Sequence, residues 1–289
     1  MMINLYVGGN RDIPLLPEEA TSIKERFNKE SDGHEVLKLD MSCRQWKKAS
    51  LDILESFLRS IAPTVRYVDF SDVIAGLMTD EGLEVTVQLA EIFEESDLLE
   101  IGLSDNAMGP RGLLRVESLF ANSHLQRLYL SNCGLSFESM EMLKKSLAAD
   151  DGRIANSMSE LVLDRNMMGV DGARVVGEFL PLLKKLEYFS YQGCRPTDVG
   201  TKFLCEGILG LTKECQPVLR RIDMEDCTFG ETEDDAIFPF SEALKKCPQL
   251  TYLNIVDGAI ELEGLELLLN ALKIARVKLS HLYLGKWIY

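Results

Sequence analysis

The residues best suited to metal binding or nucleophilic chemistry are three histidines and seven cysteines in a chain of 289 residues. His34, His124 and His281 lie too far apart in sequence to form a local ligand pair. Cys43, Cys133, Cys194, Cys205, Cys215, Cys227 and Cys247 contain no C-x-x-C pair, which argues against a zinc site. "VGGN" at 7–10 has two glycines but no following Gly-Lys-Ser/Thr, so it is no phosphate loop. "GETEDD" at 230–235 carries four carboxylates without the spacing of a calcium-binding hand, and reads as a solvated loop. We therefore expect no metal and no cofactor. What remains is a recurring row of short polar and acidic dipeptides: Ser71-Asp72, Ser104-Asp105, Ser131-Asn132, Asp164-Arg165, Gln192-Gly193, Glu225-Asp226 and Val256-Asp257. Such groups can hold a partner by hydrogen bonds and charge. Singly, each could equally satisfy the amides of a turn.

The row follows from a repeat. The template L-x-x-L-x-L-x-x-N/C is met by "LLEIGLSDN" from Leu98 to Asn106, "LQRLYLSNC" from Leu125 to Cys133, "MSELVLDRN" from Met158 to Asn166 and "LRRIDMEDC" from Leu219 to Cys227. Weaker copies start at Val36, Val65, Leu186, Leu250 and Leu279. Successive starts are 29, 33, 27, 33, 28, 33, 31 and 29 residues apart, room for a strand, a turn and a full helix. The apolar steps Phe137, Met140, Leu143, Leu147 and Leu265, Leu268, Leu269, Leu272 place one helix face toward a core. Each unit must stack on its neighbours to bury that face. The expected fold is an α/β leucine-rich-repeat solenoid, a ribonuclease-inhibitor-like horseshoe with parallel strands on the concave side and helices on the convex side. We read residues 1–289 as a single domain: 1–33 as an N-terminal cap or degenerate repeat, then about nine repeats from 36 to 289. Trp287 and Tyr289 would cap the far end. Cys133, Cys194 and Cys227 take the last template position, where a small buried thiol stands in for Asn.

The polar row then lies along one rim, where strands leave the concave face. Rims of rigid scaffolds commonly carry function. Acidic residues number 46 and basic residues 31, a net charge of −15. That disfavours nucleic acid and anionic membranes and favours a basic protein partner. No run of about 18 apolar residues suggests a membrane span, and the N-terminus does not read as a secretory signal. We expect reduced thiols, a cytoplasmic location that can include the perinuclear region, and a monomer.

"FSDVIAG" at 70–76, "LSDNAMGPRG" at 103–112 and "LYLSNCGLS" at 128–136, in that order, resemble the Ran GTPase-activating proteins. "YQGCRPTDVG" at 191–200 is similar to a later segment of the same family. The resemblance implies a cytoplasmic activator that acts on the GTP form of the small GTPase Ran and supplies no arginine finger. A rim asparagine orients the GTPase's own catalytic glutamine, and that asparagine falls on Asn132. Asp72, Ser104, Asp105, Ser131, Asp164, Arg165, Gln192 and Arg195 are then candidates for contact with the partner. Leu77 stands where the family usually has Arg, so weak activity, or compensation by Arg66 or Arg165, is expected. That departure also keeps open a leucine-rich-repeat scaffold with no effect on GTP hydrolysis. A third reading, a ribonuclease-inhibitor-like binder, shares the repeat length and the acidity but is richer in cysteine.

Overall fold

A computed structural model of the chain describes residues 1–77, 79–109, 112–120, 124–214, 217–230 and 234–285. The chain divides into two compact units, Met1–Gly134 and Leu135–Tyr289.

The first unit contains β1 (Met2–Tyr6), α1 (Pro17–Ser31), β2 (Glu35–Asp40), α2 (Lys48–Ile61), β3 (Tyr67–Asp69), α3 (Thr79–Phe93), β4 (Glu100–Gly102), α4 (Gly112–Arg115) and β5 (Arg127–Tyr129). Each strand pairs in parallel with the next. Residues 1–33, expected as a cap or degenerate repeat, form a complete strand and helix. The template residues explain the layering: Val68, Ile101 and Leu128 point toward the helices and are fully buried, while their neighbours Tyr67, Glu100 and Arg127 face the other way. The helices close the layer with their periodic faces. Leu51, Leu54 and Leu58 of α2 are buried, and Phe27 of α1 meets Phe57 of α2 at 5.6 Å between ring centroids.

The second unit repeats the scheme with α5 (Phe137–Gly152), β6 (Glu160–Val162), α6 (Gly169–Phe179), β7 (Tyr188–Ser190), α7 (Thr197–Glu214), β8 (Arg221–Asp223), α8 (Ile237–Leu244), β9 (Tyr252–Asn254), α9 (Leu262–Ala275) and β10 (His281–Tyr283). Its strands are again parallel and in sequential order. The lengthened connection at 149–159 begins as a kink at the end of α5, where Asp150 and Asp151 take positive φ. No helix among the described residues is long and apolar enough to cross a membrane.

Two expected core residues are exposed. Phe137 is 41% accessible, although Met140, Leu143 and Leu147 are buried as the spacing implies. It opens α5, and helical side chains lean toward the N-terminus, so its ring projects beyond the first turn. Leu269 is 45% accessible beside the buried Leu268. Adjacent helix positions differ by about 100°, so the core takes one of the pair. Trp287 and Tyr289, and Glu231 to Glu233 of the acidic loop, lie outside the described residues.

Candidate partner-binding rim

The turn after each strand has one geometry. The backbone N–H at one position donates to the carbonyl of the preceding rim position in the next repeat. In the first unit the bonds are Cys43 N to Ser71 O at 3.0 Å, Asp72 N to Ser104 O at 2.8 Å and Asp105 N to Ser131 O at 2.8 Å. In the second they are Arg165 N to Gln192 O at 2.7 Å, Gly193 N to Glu225 O at 3.3 Å and Asp226 N to Val256 O at 2.9 Å. The donor position is left-handed throughout: φ is +54° at Cys43, +57° at Asp72, +60° at Asp105, +53° at Asn132, +53° at Arg165, +59° at Gly193, +62° at Asp226 and +56° at Asp257. Asp, Asn and Gly tolerate that region best. Much of the acidity of the row is thus a backbone requirement. Cys43 and Arg165 are the exceptions, held in αL without the short polar side chain that eases it.

Below the rim, Asn106 is fully buried. Its Oδ1 accepts from Val73 N at 3.0 Å and Ile74 N at 3.3 Å, and its Nδ2 donates to Phe70 O at 2.7 Å and Leu103 O at 2.9 Å. The cysteines at this template position do less. The Sγ of Cys133 donates to Leu103 O at 3.1 Å, and that of Cys194 to Leu163 O at 3.1 Å. Burial pushes both thiols up to about 12, so neither is a ready nucleophile.

Asn132 is the exposed carboxamide of the first unit's rim. Its Nδ2 donates to Asp105 Oδ1 at 2.9 Å. Ser104 and Ser131 sit behind this pair, the Ser131 N–H donating to Ser104 Oγ at 3.1 Å. Asp72 is brought to the same rim but is not presented: its side chain is 6% exposed and lies 3.2 Å from the guanidinium of Arg11. Burial raises its carboxyl, against the pull of Arg11. An expected docking acid is therefore a buried anchor. Leu77 follows the Gly76 turn (φ +73°) and is half-buried. Arg66 precedes β3, at the opposite end of the strand from the rim, and donates to Pro63 O and Val65 O. It is therefore no substitute cation there.

In the second unit Arg165 and Arg195 are exposed, both with φ of +53°, and Gln192 is half-buried. Asp164 is buried. Its Oδ1 accepts from Ser190 Oγ at 2.6 Å and Gln192 N at 3.0 Å, and burial raises its carboxyl despite those donors. Its carboxylate is thus taken up within the fold, as that of Asp72 is by Arg11. Among the described residues no three His, Cys, Asp or Glu side chains converge to hold a metal.

The leucine-rich-repeat family model matches residues 121–144, the strand, rim and helix start that carry Asn132. The chain is 36% identical to RAN GTPase-activating protein 1 of Arabidopsis thaliana over 94 residues, 32% of this chain and 18% of that protein. It is 32% identical to RAN GTPase-activating protein 2 of the same plant over 98 residues, 34% of this chain and 18% of that one. The chain is a leucine-rich-repeat protein similar to Ran GTPase-activating proteins. It is also 34% identical to the ribonuclease inhibitor of Sus scrofa over 137 residues, 46% of this chain and 28% of the inhibitor. The matches span less than a third of each relative's length.

Arg11 is not marked by the repeat template. The residue lies in a stretch assigned to a cap, yet its side chain is 55% exposed and pinned to Asp72. The signal was present: Val7-Gly8-Gly9 ends a strand as the rim dipeptides do, and both glycines take positive φ.

Proposed function

We propose that this protein accelerates GTP hydrolysis by a Ran-type small GTPase bound to GTP, and that Asn132 does so by positioning the GTPase's own catalytic glutamine. The observation that supports this reading is the exposed carboxamide of Asn132, tethered at one N–H by Asp105. A fixed carboxamide can both donate to and accept from a second carboxamide. Among the described residues the rest of the Asn132 amide makes no hydrogen bond, which leaves it for a partner. Ordering the glutamine and its water lowers the entropic part of the barrier. No arginine finger is invoked, and nucleotide and magnesium both belong to the GTPase.

The first unit's rim would carry the chemistry through Asn132 and Asp105, with Ser104 and Ser131 as the polar ground beneath. Arg165, Arg195 and Gln192 would contribute docking contacts. Leu77 withholds a charge that the resemblance expects, and Arg11 is an exposed cation of the same unit's rim. The same reading makes the protein a monomer working in the cytoplasm, its perinuclear part included.

The deciding experiment is single-turnover GTP hydrolysis on Ran with a catalytic amount of this protein, at low and moderate salt. Acceleration that weakens with salt is expected. Its absence with a folded sample would favour the scaffold reading, which the hydrophobic Leu77 motivates.

A further inference from the structure

The face of the second unit's sheet that points away from the helices carries two neighbouring rows. Strand register aligns Tyr188, Arg221, Tyr252 and His281 in one, and Ser190, Asp223, Asn254 and Tyr283 in the other. The first row is a stack. The guanidinium of Arg221 lies 4.4 Å from the Tyr188 ring centroid and 4.2 Å from that of Tyr252. Tyr252, His281 and Tyr283 then form a triangle of rings, with centroids 5.6 to 6.0 Å apart. The cation within the stack is already balanced, because Asp223 Oδ2 lies 3.6 Å from Arg221 and also accepts from Tyr252 Oη at 3.2 Å. Asn254 links this group to the rim, donating to Asp223 at 2.9 Å and to Glu225 Oε2 at 3.1 Å.

Two features of this surface point to one kind of occupant. Tyr188 and Tyr252 already flank a guanidinium, and Tyr283 beside them is 45% accessible. Beside it, Glu225, Asp226 and Asp257 have no ion-pair partner among the described residues, so the local charge is uncompensated and negative. Aromatic faces beside uncompensated carboxylates suit a cationic side chain with an apolar stem. We infer that the outer face of β8, β9 and β10 is a docking surface for an arginine- or lysine-bearing segment of a basic protein. The stem of the basic residue lies on Tyr252 and Tyr283, and its head reaches the rim carboxylates. The inference is independent of Asn132 and of any action on a GTPase.

The test is titration of the whole protein with a short peptide of alternating arginine and glycine, followed by calorimetry and by side-chain NMR shifts. Tyr283→Ala, which leaves the charge unchanged and truncates an exposed ring, is expected to weaken binding about fivefold to tenfold, the range of a partly desolvated cation–π contact. Tyr283→Phe should restore it. Glu225→Gln should also weaken it, whereas Glu263→Gln, on α9 away from the stack, should change it less than about twofold. Asn132→Ala should leave it unchanged. Equal effects of Tyr283→Ala and Glu263→Gln would reduce the binding to general attraction by an acidic protein and overturn the proposal. So would comparable binding of the matching glutamate–glycine peptide, or of a short oligothymidylate that stacks on the same rings.

Discussion

The rims of the two units share one backbone and differ in what they put on it. Both repeat the same ladder of N–H to carbonyl bonds and the same left-handed residue. In the first unit the left-handed series ends in Asp72, Asp105 and Asn132, side chains suited to that conformation. Two of them then bond to each other, as Asp105 and Asn132 do. In the second unit the series opens with Arg165, a residue the conformation disfavours, and passes through Gly193 before returning to Asp226 and Asp257. The comparison separates two reasons for a polar rim residue. Asp at these positions is explained by φ alone. Asn132 fits φ and is also fixed as an exposed amide, and Arg165 is kept in spite of φ. The last two are where we propose that the rim carries something beyond its own folding.

The largest expected effect tests that distinction directly. Asn132→Ala should lower single-turnover stimulation of the GTPase about a hundredfold or more, the usual loss when one prearranged polar group is removed from a reacting centre. Complex formation should change little. Wild-type stimulation by the variant would remove Asn132 from the mechanism.

Below the rim, the buried template position can be compared across the units. Asn106→Ala in the first strands four backbone groups and should cost about 3 kcal/mol in urea unfolding. Cys194→Ala in the second loses one weak donor and should cost nearer to about 1 kcal/mol. Equal losses would mean that the Asn ladder contributes no more than packing.

Arg165→Asn relieves a left-handed arginine and should raise stability by about 1 kcal/mol. It should also weaken docking of the GTPase by about tenfold if that guanidinium meets the partner. A gain in stability with no loss of affinity would make the strain incidental.

The smallest effect concerns the two buried rim carboxyls. Each has a pKa raised by burial, so the folded protein holds its proton to higher pH than the unfolded chain does. Stability therefore falls as pH rises through that window. Asp164→Asn keeps an oxygen for Ser190 and Gln192 and removes the buried charge. Its melting temperature should exceed the wild type's at neutral pH, and the gap should close as pH falls through the raised pKa and Asp164 itself takes up its proton. Asp72→Asn should gain less, because it also abandons Arg11.

The repeat was legible because a template leucine must be buried wherever it recurs. Val68, Ile101, Leu128, Leu161 and Ile222 lie in the core in the order the spacing implied. The rim row was legible for the same reason, since its positions are counted from those leucines. Which rim acids are buried and which stay accessible was not legible. Asp72 and Asp105 occupy identical template positions, yet one is buried against Arg11 and the other meets Asn132.

The amino-acid sequence by itself determined the α/β repeat, its period, the template core and the place of Asn132, because burial periodicity is a local property of the chain. Tertiary structure alone decided which acids are consumed by neighbours, that Arg11 reaches Asp72 from 61 residues away in sequence, and that rings from three strands line up in one stack with Arg221. Those pairings depend on which side chains the stacked repeats place within a few ångströms of each other. No single repeat contains that information.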